Sequence, residues 1–244
     1  MEDKSQQDIT STAESMIQQG QYYEAKELLE ELVLDIPPNW KSITKLPDSI
    51  EIAYWDMTEF IRHVRHYQST NEIEKRLVWV TPSYSKMYYL LAFIAVERKD
   101  WTNAMNYVDK GLTLEPDHPL LLCEKAMIFL HMNRQTEAYN LFMKAIDIRT
   151  WAPPEQSARA MRGAAVALID LKRLDEAEEM LKKSLELEPD NEVAKNELGY
   201  IENLRKGGMP NDEYYLLWGT LLTRLNCFIF LERIFSNRGR EHGR

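Results

Sequence analysis

Cysteine is scarce in this chain: its 244 residues contain two, Cys123 and Cys227, far apart and each without a thiol nearby. That excludes a disulfide framework and a CxxC metal clip, and it suits a reducing compartment. Glycine and proline are also few, 9 and 10, which disfavours a fold of many short strands and turns and favours helices. Positive charge is in deficit, with 30 Lys and Arg against 39 Asp and Glu and a net charge of -9. A nucleic-acid binder needs a basic face to displace counterions from phosphates, so that class is set aside. A basic region followed by an apolar stretch is missing from the N-terminus, so no secretory leader is expected. The remaining composition, 44% hydrophobic and 28% charged, is that of an ordinary globular chain of one or two domains. The expectation is an acidic, helical, cytoplasmic protein.

What is present is a period. An alanine is followed twelve positions later by proline three times, at Ala25 and Pro37, Ala104 and Pro116, and Ala177 and Pro189. The segment between each pair carries apolar residues at i, i+3, i+4 and i+7, the pattern of an amphipathic helix stopped by proline. A second helical segment precedes each one by a short turn, with Ala92 twelve positions before Ala104. The unit is a helix hairpin, and Ala104 and Ala138 stand 34 residues apart.

On these anchors the chain resembles the tetratricopeptide repeat family. Window 85–118 meets that family's pattern at Tyr88, Leu91, Ala92, Ala95, Trp101, Ala104, Val108 and Pro116. Window 119–152 meets it at Leu122, Ala126, Phe129, Ala138, Phe142 and Ala145, with Lys125 and Thr150 departing from it. Window 158–191 meets it at Met161, Ala164, Ala165, Leu168, Leu174, Ala177, Leu181 and Pro189. Window 6–39 keeps Ala13, Met16, Gly20, Tyr22, Ala25, Leu29, Leu32 and Pro37, and window 51–84 is a degenerate unit with Thr70 in the place of the alanine. Residues 40–50 and 153–157 are inter-repeat loops, and 192–206 is a polar cap. The resemblance implies an all-α, right-handed α-α superhelical solenoid over residues 1–206, with 207–244 as a separate C-terminal segment.

Each hairpin is too small to bury its own apolar face, so neighbours must stack, and the small residues let helices approach. Function then falls to the concave face, which in this family is lined by the first helix of each hairpin. The resemblance implies a non-catalytic scaffold or adaptor that binds a peptide or protein segment there. Trp55, Tyr89, Phe93, Met127 and Leu130 are the expected apolar anchors, and Arg62, Lys86, Arg159 and Arg162 the expected selectors of acidic or carboxylate groups. The alternative for the aromatic residues is packing on one another or on the chain's own tail, and for the cations a solvated groove wall. A holding chaperone for an apolar client segment is a second functional reading. Within the family, adaptors that grip a C-terminal carboxylate use fixed Lys, Asn and Arg donors. Thr10 and Glu14, Trp55 and Glu59, or Tyr89 and Phe93 occupy the first-unit positions here, and Gly163 that of an arginine, so this clamp is not expected.

The segment 214–235 is apolar but interrupted by Arg224, Asn226, Glu232 and Arg233, which disfavours a membrane span. Three placements stand open for it: a helix on the last repeat, a plug in the groove, or an interfacial membrane contact that would make the chain a membrane-associated adaptor. No catalytic constellation is evident. His63 and His66 are read as a solvated helix face rather than a metal clip, Cys123 and His131 are two turns apart, and neither a phosphate loop nor a GxSxG elbow occurs. No cofactor and no metal are expected.

Overall fold

The computed structural model of the chain describes residues 3–70 and 75–208. The hairpins are α1 (Asp3–Gln18) with α2 (Tyr22–Leu34), α4 (Tyr84–Glu97) with α5 (Trp101–Leu114), α6 (Pro119–His131) with α7 (Gln135–Asp147), and α8 (Pro154–Asp170) with α9 (Leu174–Leu187). A further helix, α10 (Glu192–Arg205), closes the described stack. The placements considered for 214–235 lie outside the described residues.

The turn inside each hairpin is the same device four times. Gly20, Lys99, Asn133 and Lys172 all have positive φ, between 55° and 75°. The next residue's N–H reaches back five positions, Gln21 to Met16 O, Asp100 to Ala95 O, Arg134 to Phe129 O and Arg173 to Leu168 O, at 2.8–2.9 Å. These Schellman turns satisfy carbonyls that the helix end would otherwise leave open, and the left-handed residue sets the angle at which the second helix returns. Ala25, Ala104, Ala138 and Ala177 then lie in the second helices with no exposed surface, and Ala92, Ala126 and Ala165 are equally enclosed in the first. At such contacts a larger side chain would hold the helices apart.

Window 51–84 departs from the expected hairpin. It contains α3 (Met57–Thr70) and β3 (Arg76–Trp79), while β1 (Ile43–Lys45) lies within the expected loop and β2 (Ser49–Ile52) runs from that loop into the window. The strands form a sheet in the order β1-β2-β3, with β1 and β2 antiparallel and β2 and β3 parallel, Ile50 opposite Leu77 and Ile52 opposite Trp79. Parallel neighbours require a crossover, and α3 supplies it. Ile50, Ile52, Val78 and Trp79 are β-branched or aromatic, and Thr70 lacks the compact apolar contact a second repeat helix needs. The stack therefore skips this segment, and α2 packs directly on α4.

The insertion is fastened by a buried polar network across the turns between hairpins. The Glu115 carboxylate, at the end of α5, accepts from the Trp55 indole N–H at 3.0 Å, from the Ser85 hydroxyl, and from Arg149 Nη2 at 2.6 Å. Beside it, Glu59 accepts from the Trp55 backbone N–H at 3.1 Å and lies 3.1 Å from His118 Nε2, and the His118 ring stacks on the Trp55 indole at 3.5 Å. Burial alone would raise the Glu59 carboxyl, but His118, Arg149 and the Trp55 N–H outweigh it and hold the group below the ordinary carboxylate range. His63 belongs to this fastening and not to a solvated face, while His66 lies half-buried at its exposed edge. His63 stacks on Trp151 at 4.2 Å and bonds the Tyr54 hydroxyl at 2.7 Å, and His66 Nε2 is 3.2 Å from Thr150 Oγ1.

Two outcomes follow for equilibrium urea denaturation. Glu115→Ala leaves the buried Arg149 with only Asp117, at 2.8 Å, as a paired carboxylate and removes the acceptor of the Trp55 indole and the Ser85 hydroxyl, and should lower stability by about 2–3 kcal/mol. Lys172→Gly removes the Cβ penalty of the left-handed position and should raise stability by about 0.5–1 kcal/mol.

Candidate functional site: the inner groove

The first helices of the later hairpins converge on a small, partly enclosed pocket on the inner face of the stack. Phe93, Val96 and Glu97 enter it from α4, Glu124, Met127, Ile128 and His131 from α6, Arg159, Arg162, Gly163 and Val166 from α8, and Val193 and Glu197 from α10. Trp101 and Phe142 contribute from second helices. The spacings of three and four residues place each set on one helix face. Gly163 is required by the closeness of its neighbour: a Cβ there would lie 2.3 Å from Phe142 Cε1. That ring is fully enclosed, so it has little freedom to retreat.

Of the nine residues expected to bind a peptide, the pocket brings together Phe93, Met127, Arg159 and Arg162. The other five lie elsewhere. Trp55 precedes α3 instead of lying within a first helix, is 6% exposed, and belongs to the Glu115 network. Tyr89 is 7% exposed, packs on Trp55 at 5.1 Å, and accepts from Arg159 Nη1 at 3.3 Å. Arg62 Nε donates to the carbonyls of Trp151 and Ala152, both at 3.2 Å. Lys86 donates to the Trp55 carbonyl at 3.0 Å and pairs with Glu14 at 2.6 Å. Leu130 packs into the core around Phe142. The expected exposed aromatic floor is thus interior, because the strand-bearing insertion covers the stretch where Trp55 and Tyr89 meet. Phe93 is also almost enclosed, at 2%.

The inner-face cations are engaged as well. Arg159 pairs with Glu124, and Arg162 with Glu188, all four side chains being at least nine-tenths buried. Desolvation makes such a pair a poor net stabiliser but leaves each guanidinium committed to its carboxylate. Arg159 and Arg162 therefore serve first as internal counter-ions. Cys123 is fully buried and its thiol is pushed up to about 12 by that burial, whereas His131 is exposed and stacks on Trp101 at 4.3 Å. Among the described residues, no group of three His, Cys, Asp or Glu side chains is placed to hold a metal ion, and no helix is long and apolar enough to cross a membrane.

Glu197 is the residue that reading the sequence missed. It lies one position beyond the inner-face register of α10, four residues after Val193, in a segment expected to be a solvating cap. It is 4% exposed. Burial, reinforced by the Asp170 carboxylate, raises its carboxyl from 4.5 to about 8. An acid on an otherwise apolar helix face, between Val193, Ala194, Leu198 and Ile201, was the available signal.

Residues 158–191 match the family model of the tetratricopeptide repeat. The fold is an all-α solenoid of stacked helix hairpins, and residues 158–191 are one tetratricopeptide unit of it. Among solved structures, the MamA RS-1 ArsTM double mutant is similar over 94% of this chain and 95% of its own length, with 16% identity and a TM-score of 0.50. That likeness concerns the fold alone. The Arabidopsis OM64 TPR domain is similar over 49% of this chain and 94% of its own, with 24% identity and a TM-score of 0.45. The first TPR of Spaghetti (RPAP3), solved bound to the HSP90 peptide SRMEEVD, is similar over 52% of this chain and 97% of its own, with 21% identity and a TM-score of 0.46. No curated protein matches the chain.

The Glu197 carboxyl makes stability depend on pH with a definite sign. Its folded value stands above its unfolded one, so the folded chain retains a proton that the unfolded chain has released. The resulting stability is complete below the unfolded value near 4.5 and is lost as pH rises through about 8. Glu197→Gln should match the parent near pH 4 and exceed it by about 4–5 kcal/mol at pH 9. Urea midpoints measured across that range check this.

Proposed function

We propose that this solenoid is a non-catalytic protein-interaction adaptor that seats a polypeptide segment in the pocket between α4, α6, α8 and α10. One observation carries the reading: the inner face keeps a small, partly enclosed concavity with an apolar lining, Val96, Met127, Val166 and Val193, beside fixed polar groups. Ligand sites combine apolar lining with a few placed polar groups in this way. Convergent apolar side chains from successive helices suit a chain segment that offers side chains in series. A carboxylate-gripping mode receives no support from the residues. Glu14 is committed to Lys86, Arg159 to Glu124 and Arg162 to Glu188, and Gly163 has no donor side chain. The anchors are therefore Met127 and Val166 with the rims of Phe93 and Trp101, in place of Trp55 and Tyr89.

Selection of a random peptide library on the full chain, followed by fluorescence anisotropy on the selected peptides, tests the proposal. Met127→Ser combined with Val166→Ser, shown by circular dichroism to be folded, should weaken binding at least about tenfold. Equal binding by parent and variant would remove the pocket from consideration.

A further inference from the structure

Glu197 is buried on the wall of the groove, and among the described residues it has neither a hydrogen bond nor an ion pair. This is unusual, because burying a carboxyl without a partner is costly. The two other buried acids that face or adjoin the pocket's cations, Glu124 and Glu188, each hold an arginine. No cation reaches Glu197, and the charge that acts on it is a second carboxylate, Asp170. The lining around it is apolar and aromatic, with Val193 on its own helix and Phe93 and Trp101 across the pocket. Aromatic faces attract cations, and the stem of a long basic side chain packs well on apolar surface.

Resting on the binding role proposed above, we infer that the groove selects a polypeptide segment carrying a lysine or arginine flanked by apolar residues, with the basic head placed against Glu197. This reverses the sign of the ligand suggested by Arg159 and Arg162. Those cations are spent within the protein, and the group left to be answered is an acid. Charge complementarity decides the occupant: a cation placed against Glu197 favours the ionised carboxyl and pairs with it, whereas an entering carboxylate would meet the like charge of Asp170. The apolar flanks fill the space beside Met127 and Val166.

The test uses the full chain and three fluorescent peptides that share one leucine-rich sequence and differ at a single central residue, lysine, glutamine or glutamate. The lysine peptide should bind at least about tenfold more tightly than the glutamine peptide, and the glutamate peptide most weakly. Glu197→Gln should abolish the lysine preference, so that the lysine and glutamine peptides bind the variant with equal affinity. Comparable affinities for lysine and glutamine peptides, or a preference for glutamate, overturn the inference while leaving the groove as a peptide site. A lysine preference that survives Glu197→Gln overturns it too, by placing the acidic contact elsewhere. Failure of all three peptides to bind both the parent and an Arg224→Gln, Arg233→Gln variant overturns the binding role itself. Lysine-peptide binding that appears only in that variant assigns the seat to the chain's own C-terminal arginines and overturns the assignment to a partner.

Discussion

The Glu115 carboxylate is the interaction on which the arrangement of this molecule depends. It gathers an indole N–H from the insertion, a hydroxyl from α4 and a guanidinium from the end of the third hairpin, and so ties together segments that are far apart in sequence. A charge with so little exposure is tolerable only when its lone pairs are met and a counter-ion is adjacent. Once it is met, the strand-bearing insertion has one seat, along the turns between hairpins. Trp55 and Arg149 are then fixed with it.

That seat divides the inner face. Toward the N-terminus, the insertion and the direct stacking of α2 on α4 enclose the aromatic residues of α4. Toward the C-terminus, no such cover lies over α6, α8 and α10 among the described residues, and a small concavity remains between them. The groove is shorter than a regular stack of five units would offer, and its chemistry is set by the arginine pairs and by Glu197.

Much of the fold was legible because its determinants are local or periodic. Ala104 and Ala138 mark helix contacts that recur at one spacing, and the turn residues Gly20, Lys99, Asn133 and Lys172 fall at equivalent places between helices. The insertion was misread because a repeat register was carried through it. Strand pairing of Ile52 with Trp79 joins residues 27 positions apart, and no short-range pattern reports such a pair. The site suffered similarly. Tyr89 and Phe93 were counted correctly onto the first-helix face, yet their exposure depended on what else packs there.

The sequence by itself determined the period, the helix hairpins, the small-residue contacts and the lack of a clamp of fixed donors, since each is a matter of residue type at a given spacing. Only the tertiary structure decided which cations are free, which aromatics are exposed and which acid lacks a partner. The pairing of Arg159 with Glu124 and of Arg162 with Glu188 spans 35 and 26 residues. Burial and ion pairing are properties of the whole packed arrangement, so a side chain's chemistry at the groove is fixed only after every neighbouring element has been placed.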